Sequence, residues 1–147
     1  MSESDFLNAE GAEDPQRTQR DSPIENDFSH DIIGAALEVQ RALGTGLLES
    51  AYTAALAIEL ADREIGFAQE VPVSGSYKGR PLGLAYRADF IVEGSVIVEV
   101  KAVEVVTELH RAELLSYLRV AGLKLGLLIN FHAFPLVKGV HRMVNKL

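Results

Sequence analysis

The sequence contains no cysteine and has no long apolar run. Without cysteine, disulfide bonds, thiolate catalysis and cysteine-ligated zinc are excluded. No stretch approaches the roughly 18 to 20 apolar residues that are needed to span a bilayer, so we expect no membrane partner. The segment "MSESDFLNAEGAED" lacks the basic and apolar parts of a signal peptide. A cytoplasmic location is therefore expected.

Positive charge is also scarce, since the formal net charge is −7. Residues 1–27 hold eight acidic residues against Arg17 and Arg20, a net charge of −6, which leaves residues 28–147 at −1. This composition predicts a disordered acidic tail over 1–27 and one folded domain over 28–147. No stretch is a basic patch of the kind that drives strong non-specific phosphate binding. A phosphodiester substrate is still compatible, because bound cations can supply positive charge.

The hydrophobic periodicity predicts an α/β fold. Apolar residues at three- and four-residue steps predict helices over 28–43, capped by Gly44, and over 48–64. From residue 67 the period changes to two, which predicts strands at 67–77, 82–92 and 96–103, with turns at 78–81 and 93–95. A helix follows at 108–121, then a buried strand at 123–131 and a candidate edge strand at 137–144. This order favours a mixed sheet flanked by helices.

The strand "VIVEVKAV" carries two opposite charges within an apolar run. Glu99 and Lys101 are two residues apart and therefore share one face of the strand. If residues 93–95 form a three-residue loop, Val92 pairs with Val96, and Asp89 lies opposite Glu99. Two carboxylates about 5 Å apart repel each other unless one is protonated or a cation lies between them. The pattern therefore predicts a pair of acids with a lysine beside it.

Two interpretations of this cluster stay open. A divalent cation such as Mg²⁺ accepts one or two carboxylates, with water and substrate phosphate completing its coordination. Lys101 would then stabilise phosphate charge or activate water, so the set would suffice for phosphodiester hydrolysis. Alternatively, Glu99 and Lys101 form a structural ion pair with Asp89 as a local hydrogen-bonding partner, because ion-pair networks also occur in such places.

The helices contribute further candidates. Glu49 lies in the first turn of the second helix, where a carboxylate favours the positive helix end in any case. Tyr52, three residues on, shares its face. In the helix over 108–121, His110, Glu113 and Tyr117 form a polar stripe that is expected to support the Lys101 site. A single histidine is more often structural than a ligand. The other three histidines show no metal-type spacing, and these are His30, His132 and His141.

Taken together, the motifs resemble a known family. "GLLESAY" is similar to the signature of the bacterial GxxExxY family, which is placed in the PD-(D/E)XK nuclease superfamily, and the resemblance continues through "YRADFIV", "VIVEVKAV" and "GLLINF". It implies a restriction-endonuclease-like core in which Asp89, Glu99, Lys101 and Glu49 are catalytic. It also implies Mg²⁺ or Mn²⁺ held by Asp89, Glu99, Glu49 and the carbonyl of Val100.

The resemblance also has one departure. The helix over 108–121 looks like one that carries a Gln-x-x-x-Tyr motif, but Glu113 stands at the glutamine position before Tyr117. We therefore expect a nuclease acting on DNA or RNA, with nucleic acid as its partner. One alternative is a catalytically weak or inactive module that binds nucleic acid or protein. Another is a structural subunit whose edge strand and apolar surface form a homodimer.

Overall fold

The computed structural model describes residues 27–146. The predicted acidic tail over 1–27 therefore lies outside the described residues, apart from Asp27. Two helices come first, α1 (Ser29–Leu43) and α2 (Glu49–Asp62). The buried residues of α1 recur at three- and four-residue steps, as predicted, and they are Ile32, Ala35, Ala36 and Val39. Gly44 follows α1 with φ of 78°, the left-handed conformation predicted for its cap.

Five strands form one mixed sheet, in the order β1-β2-β3-β4-β5. Their bounds are β1 (Phe67–Tyr77), β2 (Arg80–Val92), β3 (Val96–Lys101), β4 (Leu125–Asn130) and β5 (Val140–Val144). Strands β3 and β4 are parallel, and the other neighbouring pairs are antiparallel. Helix α3 (Glu108–Ala121) connects the parallel pair. Parallel neighbouring strands need such a crossover connection. The observed elements confirm the predicted α-α-β-β-β-α-β-β order and the mixed sheet.

Two predicted connections differ in detail from the structure. The turn predicted over 78–81 contains only Lys78 and Gly79, which have φ of 52° and 75°. Two successive left-handed residues make the tight hairpin turn that matches the twist of its flanking strands, so Arg80 and Pro81 join β2. The predicted last strand over 137–144 is also shorter. A 3₁₀ turn, Leu136–Gly139, takes its first half, and β5 begins only at Val140.

Apolar side chains cover both faces of the sheet. One group, which we call the α1–α2 layer, joins the two N-terminal helices to the sheet through residues such as Ile32, Leu56, Phe90, Val98 and Leu127. The other, the α3 layer, lies under α3 and consists of Ala88, Ile97, Leu114, Leu118 and Leu128. All six residues of β4 are buried, as its continuous apolar sequence predicts. Burial on both faces gives the strands next to the charged cluster a rigid frame.

No helix in residues 27–146 is long and apolar enough to cross a membrane.

Candidate active site

The β2–β3 hairpin brings Asp89 and Glu99 together. Its loop has three residues, and Val92 pairs with Val96, as predicted. The regular strand pairing ends at Phe90↔Val98, one residue before Asp89 would pair with Glu99. There, side chains replace backbone partners: the N–H of Val100 donates to Asp89 Oδ2 at 2.8 Å, and the N–H of Asp89 donates to Glu99 Oε2 at 3.3 Å. A backbone N–H of β3 thus holds the Asp89 carboxylate, and a backbone N–H of β2 holds the Glu99 carboxylate, so the two lie side by side.

A local irregularity in the β1–β2 ribbon sets the position of Asp89. Phe90 belongs to the α1–α2 layer, whereas Ala88 belongs to the α3 layer, although regular alternation would put both on one face. The facing residue in β1 is Glu70, which has φ of 51° and is missing from the otherwise continuous strand pairing. A left-handed residue in the middle of a strand is uncommon and rotates the chain. The ribbon therefore changes faces at Glu70 and Asp89.

Burial perturbs both strand carboxyls. Glu99 is 8% exposed, and its burial, together with the adjacent Asp89 carboxylate, raises the pKa of Glu99 to about 8. Burial also raises the pKa of Asp89, as does the charge of Glu70, against the N–H of Val100, which lowers it. Burial and the neighbouring acid keep the Glu99 carboxyl protonated near neutral pH. A cation bound between the two carboxylates would compensate their charge in place of the proton. The raised pKa values of these two neighbouring carboxyls are the main support for a cation-binding site here.

Lys101 and Glu49 lie within the same electrostatic field. Lys101 ends β3 and is half-buried, and its ammonium lowers the pKa values of Asp89 and Glu99 against the effect of burial. Glu49 begins α2 at the surface. Partial burial raises the pKa of Glu49, Lys101 lowers it, and the charge of Asp89 raises it. The structure therefore brings all four predicted catalytic side chains close enough to interact.

Tyr117 also faces the carboxylates, in company with a residue that the sequence did not suggest. Burial raises the pKa of Tyr117, and the charges of Glu113, Glu99 and Asp89 raise it further. Its ring stacks on that of Tyr86 with 3.9 Å between the centroids, and the Tyr86 hydroxyl donates to the Tyr117 carbonyl at 3.2 Å. Burial, then the charge of Glu99, raises the pKa of Tyr86. The stacked tyrosines form one wall beside the acids.

Tyr52 and His110, two other predicted support residues, have local structural roles. Tyr52 is fully buried in the α1–α2 layer, on the face of the sheet opposite to Glu99. Its hydroxyl donates to the carbonyl of Gly44 at 2.7 Å and accepts from the N–H of Leu47 at 3.1 Å, which fixes the loop before Glu49. His110 caps α3 reciprocally with Thr107, and its Nδ1 accepts from the Thr107 N–H at 3.0 Å. Tyr52 therefore supports the site from a distance.

This arrangement can be compared with known proteins. A family model described as the PD-(D/E)XK nuclease superfamily matches residues 26–143. The chain belongs to the PD-(D/E)XK nuclease superfamily. No curated protein and no solved structure matches it. The five-stranded sheet with its flanking helices is consistent with the core of this nuclease superfamily.

Nucleases of the PD-(D/E)XK superfamily generally use divalent metal ions, and the strand carboxylates fit such an ion in part. Within residues 27–146, no three His, Cys, Asp or Glu side chains converge closely enough to form a metal site by themselves. Asp89 and Glu99 nevertheless each present a second oxygen that no backbone N–H occupies. Mg²⁺ usually keeps several waters and takes one or two carboxylates, so a pair of acids is chemically sufficient.

Asn130 is a further residue of this nuclease domain that sequence reasoning missed. It is buried at the end of β4, opposite Lys101 in the parallel pairing. Its side chain donates to the carbonyl of Val103 at 2.9 Å and accepts from the Val103 N–H at 3.0 Å. This double hydrogen bond holds the chain directly after Lys101. A polar residue at the end of the apolar run "LGLLIN" was the available signal.

Proposed function

We propose that the protein is a divalent-metal-dependent nuclease that hydrolyses phosphodiester bonds of DNA or RNA. The observation that carries this proposal is the pair of half-buried Asp89 and buried Glu99, held beside each other by hydrogen bonds between β2 and β3, with Lys101 at the end of β3. Two adjacent acids that are withdrawn from water destabilise a domain unless a proton or a bound cation compensates their charge. The "GLLESAY" segment, which contains Glu49, supports the finer placement in the GxxExxY family.

The metal-binding residues that we propose are Asp89, Glu99 and the carbonyl of Val100, with Glu49 acting through bound water. The N–H of Val100 points to Asp89, and the carbonyl of an extended residue leaves from the same edge of the strand as its N–H. Mg²⁺ or Mn²⁺ bound there would neutralise the acids and polarise a phosphodiester for attack by water. Glu49 is well placed to orient a water molecule because it lies at the surface, on the first turn of α2.

Lys101 supplies the positive charge that this chain itself brings to the reaction. Its Nζ would donate a hydrogen bond to a non-bridging phosphate oxygen or to the attacking water, which it would orient. It is half-buried and makes no ion pair within the described part of the chain, so its donors are free for substrate. Tyr117, stacked on Tyr86, would position the substrate beside the acids. Glu113, one turn before Tyr117 in α3, would support the site from the same helix.

Two observations favour a second candidate, a module of the same fold that binds nucleic acid or protein without efficient cleavage. Glu113 adds a carboxylate where the resembled motif has an amide, and this increases repulsion toward phosphate. In addition, no third acid in residues 27–146 converges with Asp89 and Glu99. Calorimetric titration with Mn²⁺ separates the candidates, because a nuclease binds the ion through this pair. Absence of binding at about millimolar ion would favour the module.

The decisive experiment is cleavage by the wild-type chain and two lysine variants. DNA and RNA, single- and double-stranded, are incubated with Mg²⁺, Mn²⁺ or EDTA. We expect ion-dependent cleavage that Lys101→Ala lowers by about 100-fold or more, the scale of losing one transition-state donor. Lys124→Ala removes an exposed lysine outside the site and should cleave normally. Circular dichroism confirms folding. Cleavage that survives Lys101→Ala, or that continues in EDTA, contradicts the proposal.

A further inference from the structure

The β1–β2 hairpin extends well beyond the rest of the sheet. Its strands have 11 and 13 residues, whereas β3 has six. Its outer part packs against the C-terminal end of α3, since the position of a Cβ on Gly75 lies 3.5 Å from Val120 Cγ1. We call the outer hairpin, residues 74–84, the arm. The pairing of β1 with β2 shifts twice within the arm, and such irregularities bend a ribbon.

The arm and the C-terminal end of α3 line an open surface cavity of about 550 Å³. Its lining combines two serines, two glycines and an arginine with two apolar residues, and these are Ser74, Ser76, Gly75, Gly79, Arg119, Pro81 and Val120. The hydroxyls of Ser74 and Ser76 make no hydrogen bond within the described part of the chain. Hydroxyl donors around an arginine are a chemically suitable environment for a phosphate group.

Charge is segregated in this hairpin. Residues 71–88 contain three basic residues and no acidic one, although the whole chain has a net charge of −7. Along the sequence these bases are too few to form a patch. In the structure, Lys78 and Arg80 flank Gly79, which lines the same cavity as Arg119. Folding therefore brings Arg119, which lines the cavity, to the hairpin turn in which Lys78 and Arg80 flank the lining residue Gly79.

Lys78 and Arg80 of the arm and Arg119 of α3 lack the acidic partners that three other arginines have. On the helices, three arginines form ion pairs with glutamates three or four residues away, at 2.5 to 2.8 Å, and these are Arg41, Arg63 and Arg111. Lys78, Arg80 and Arg119 form no ion pair within residues 27–146, and Lys78 contacts only the ring of its neighbour Tyr77, at 5.4 Å. Unpaired cations around a cavity favour a polyanion over a protein surface of mixed charge.

We infer that the arm cavity and the cations beside it form a second binding site, for successive phosphates of the nucleic-acid backbone next to the scissile bond. Val120, which lines the cavity, follows Tyr117 by three residues in α3, so the two side chains are neighbours on the helix surface, about 4.5 Å apart along the axis. The cavity therefore lies next to a side chain that faces the carboxylates. This inference rests on the proposed function for the identity of the polyanion. The arm would position the backbone, and the acids and Lys101 would act on the bond.

The test is the salt dependence of binding. Fluorescence anisotropy with a labelled 30-base-pair DNA in EDTA, where no metal-dependent cleavage is expected, gives the slope of log K against log salt concentration. The slope falls by roughly 0.9 for each lost phosphate contact. We therefore expect the triple variant Lys78→Gln/Arg80→Gln/Arg119→Gln to reduce it by about 2 to 3. Single-stranded DNA and duplex RNA probes show which backbone is preferred.

Two controls keep the test specific. Lys124→Gln/Lys138→Gln removes exposed lysines outside the arm and should leave the slope unchanged. Arg80→Lys/Arg119→Lys keeps the charges and should preserve most of the slope. The substituted positions are exposed, and unfolding curves should match the wild-type curve.

The outcomes separate this inference from the proposed function. A triple variant that binds with the wild-type slope overturns the arm site, even if the protein cleaves DNA. A wild-type chain that binds no nucleic acid at about 100 µM and low salt overturns it as well. Arm-dependent binding without any cleavage supports the arm site and counts against the nuclease.

Discussion

The stability of the metal-free domain should depend on pH through Glu99. The pKa of this carboxyl is raised from 4.5 to about 8 by burial and by Asp89. The folded state therefore holds a proton on Glu99 that the unfolded state has released between these two values. Stability must fall as pH rises through this window and level off above the folded pKa. Glu99→Gln removes the ionisation while its amide oxygen can still accept from the Asp89 N–H.

The size of the effect follows from the two pKa values. With about 8 in the folded state and 4.5 in the unfolded state, ionisation of Glu99 costs about 3 kcal/mol more at pH 9 than at pH 6. The free energy of unfolding of Glu99→Gln should therefore exceed that of the wild type by a margin that grows by about this amount. In a domain of this size, such a margin corresponds to roughly 10 °C in melting temperature.

Urea unfolding followed by circular dichroism measures this margin, since the chain has no tryptophan for fluorescence. Wild type, Glu99→Gln and the control Glu64→Gln are compared in EDTA from pH 6 to 9. Glu64 is exposed, so its variant should parallel the wild type. Addition of Mg²⁺ should stabilise the wild type most at high pH and leave Glu99→Gln nearly unchanged. Parallel curves for wild type and Glu99→Gln in EDTA would refute the electrostatic account of the site.

Three further substitutions test how the frame holds the site. Asn130→Ala should cost about 1 to 3 kcal/mol and also lower cleavage, whereas Asn145→Ala, at another buried asparagine bonded to a backbone carbonyl, should cost as much and leave cleavage unchanged. Tyr52→Phe should lose about 1 to 2 kcal/mol in urea unfolding, because its hydroxyl makes two backbone hydrogen bonds. Gly139→Ala places a methyl group 2.5 Å from the Asn130 carbonyl oxygen, and should lower the free energy of unfolding by about 1 to 3 kcal/mol. Equal cleavage by the two asparagine variants, or a wild-type melting curve for either of the others, would contradict these assignments.

The pairing of Asp89 with Glu99 could be predicted from sequence because it depends on local rules. The three-residue loop sets the register of the hairpin, and counting back from Val92↔Val96 brings Asp89 beside Glu99, although the regular pairing stops at Phe90↔Val98. The stop signal at Gly44 likewise predicted a helix end, and this residue is left-handed in the structure. These features involve residues that are close along the chain.

Features that depend on distant contacts could not be predicted in this way. The change of faces at Glu70 depends on one left-handed residue, and a glutamate gives no signal for that conformation. Tyr86 was missed because its partner, Tyr117, is 31 residues away on a helix. Strand β5 starts late because a 3₁₀ turn, Leu136–Gly139, precedes it, and in that turn a Cβ on Gly139 would lie 2.5 Å from the Asn130 carbonyl oxygen. Strand periodicity alone does not report such close packing.

The change of faces at Glu70 and Asp89 has a consequence for how damage would spread through the domain. The same ribbon supplies Phe90 to one apolar layer and Ala88 to the other, with Asp89 between them. A packing defect in either layer would therefore shift the backbone on one side of Asp89 and change the position of its carboxylate. Mutations far from the acids, on opposite sides of the sheet, should converge on a common defect in ion affinity.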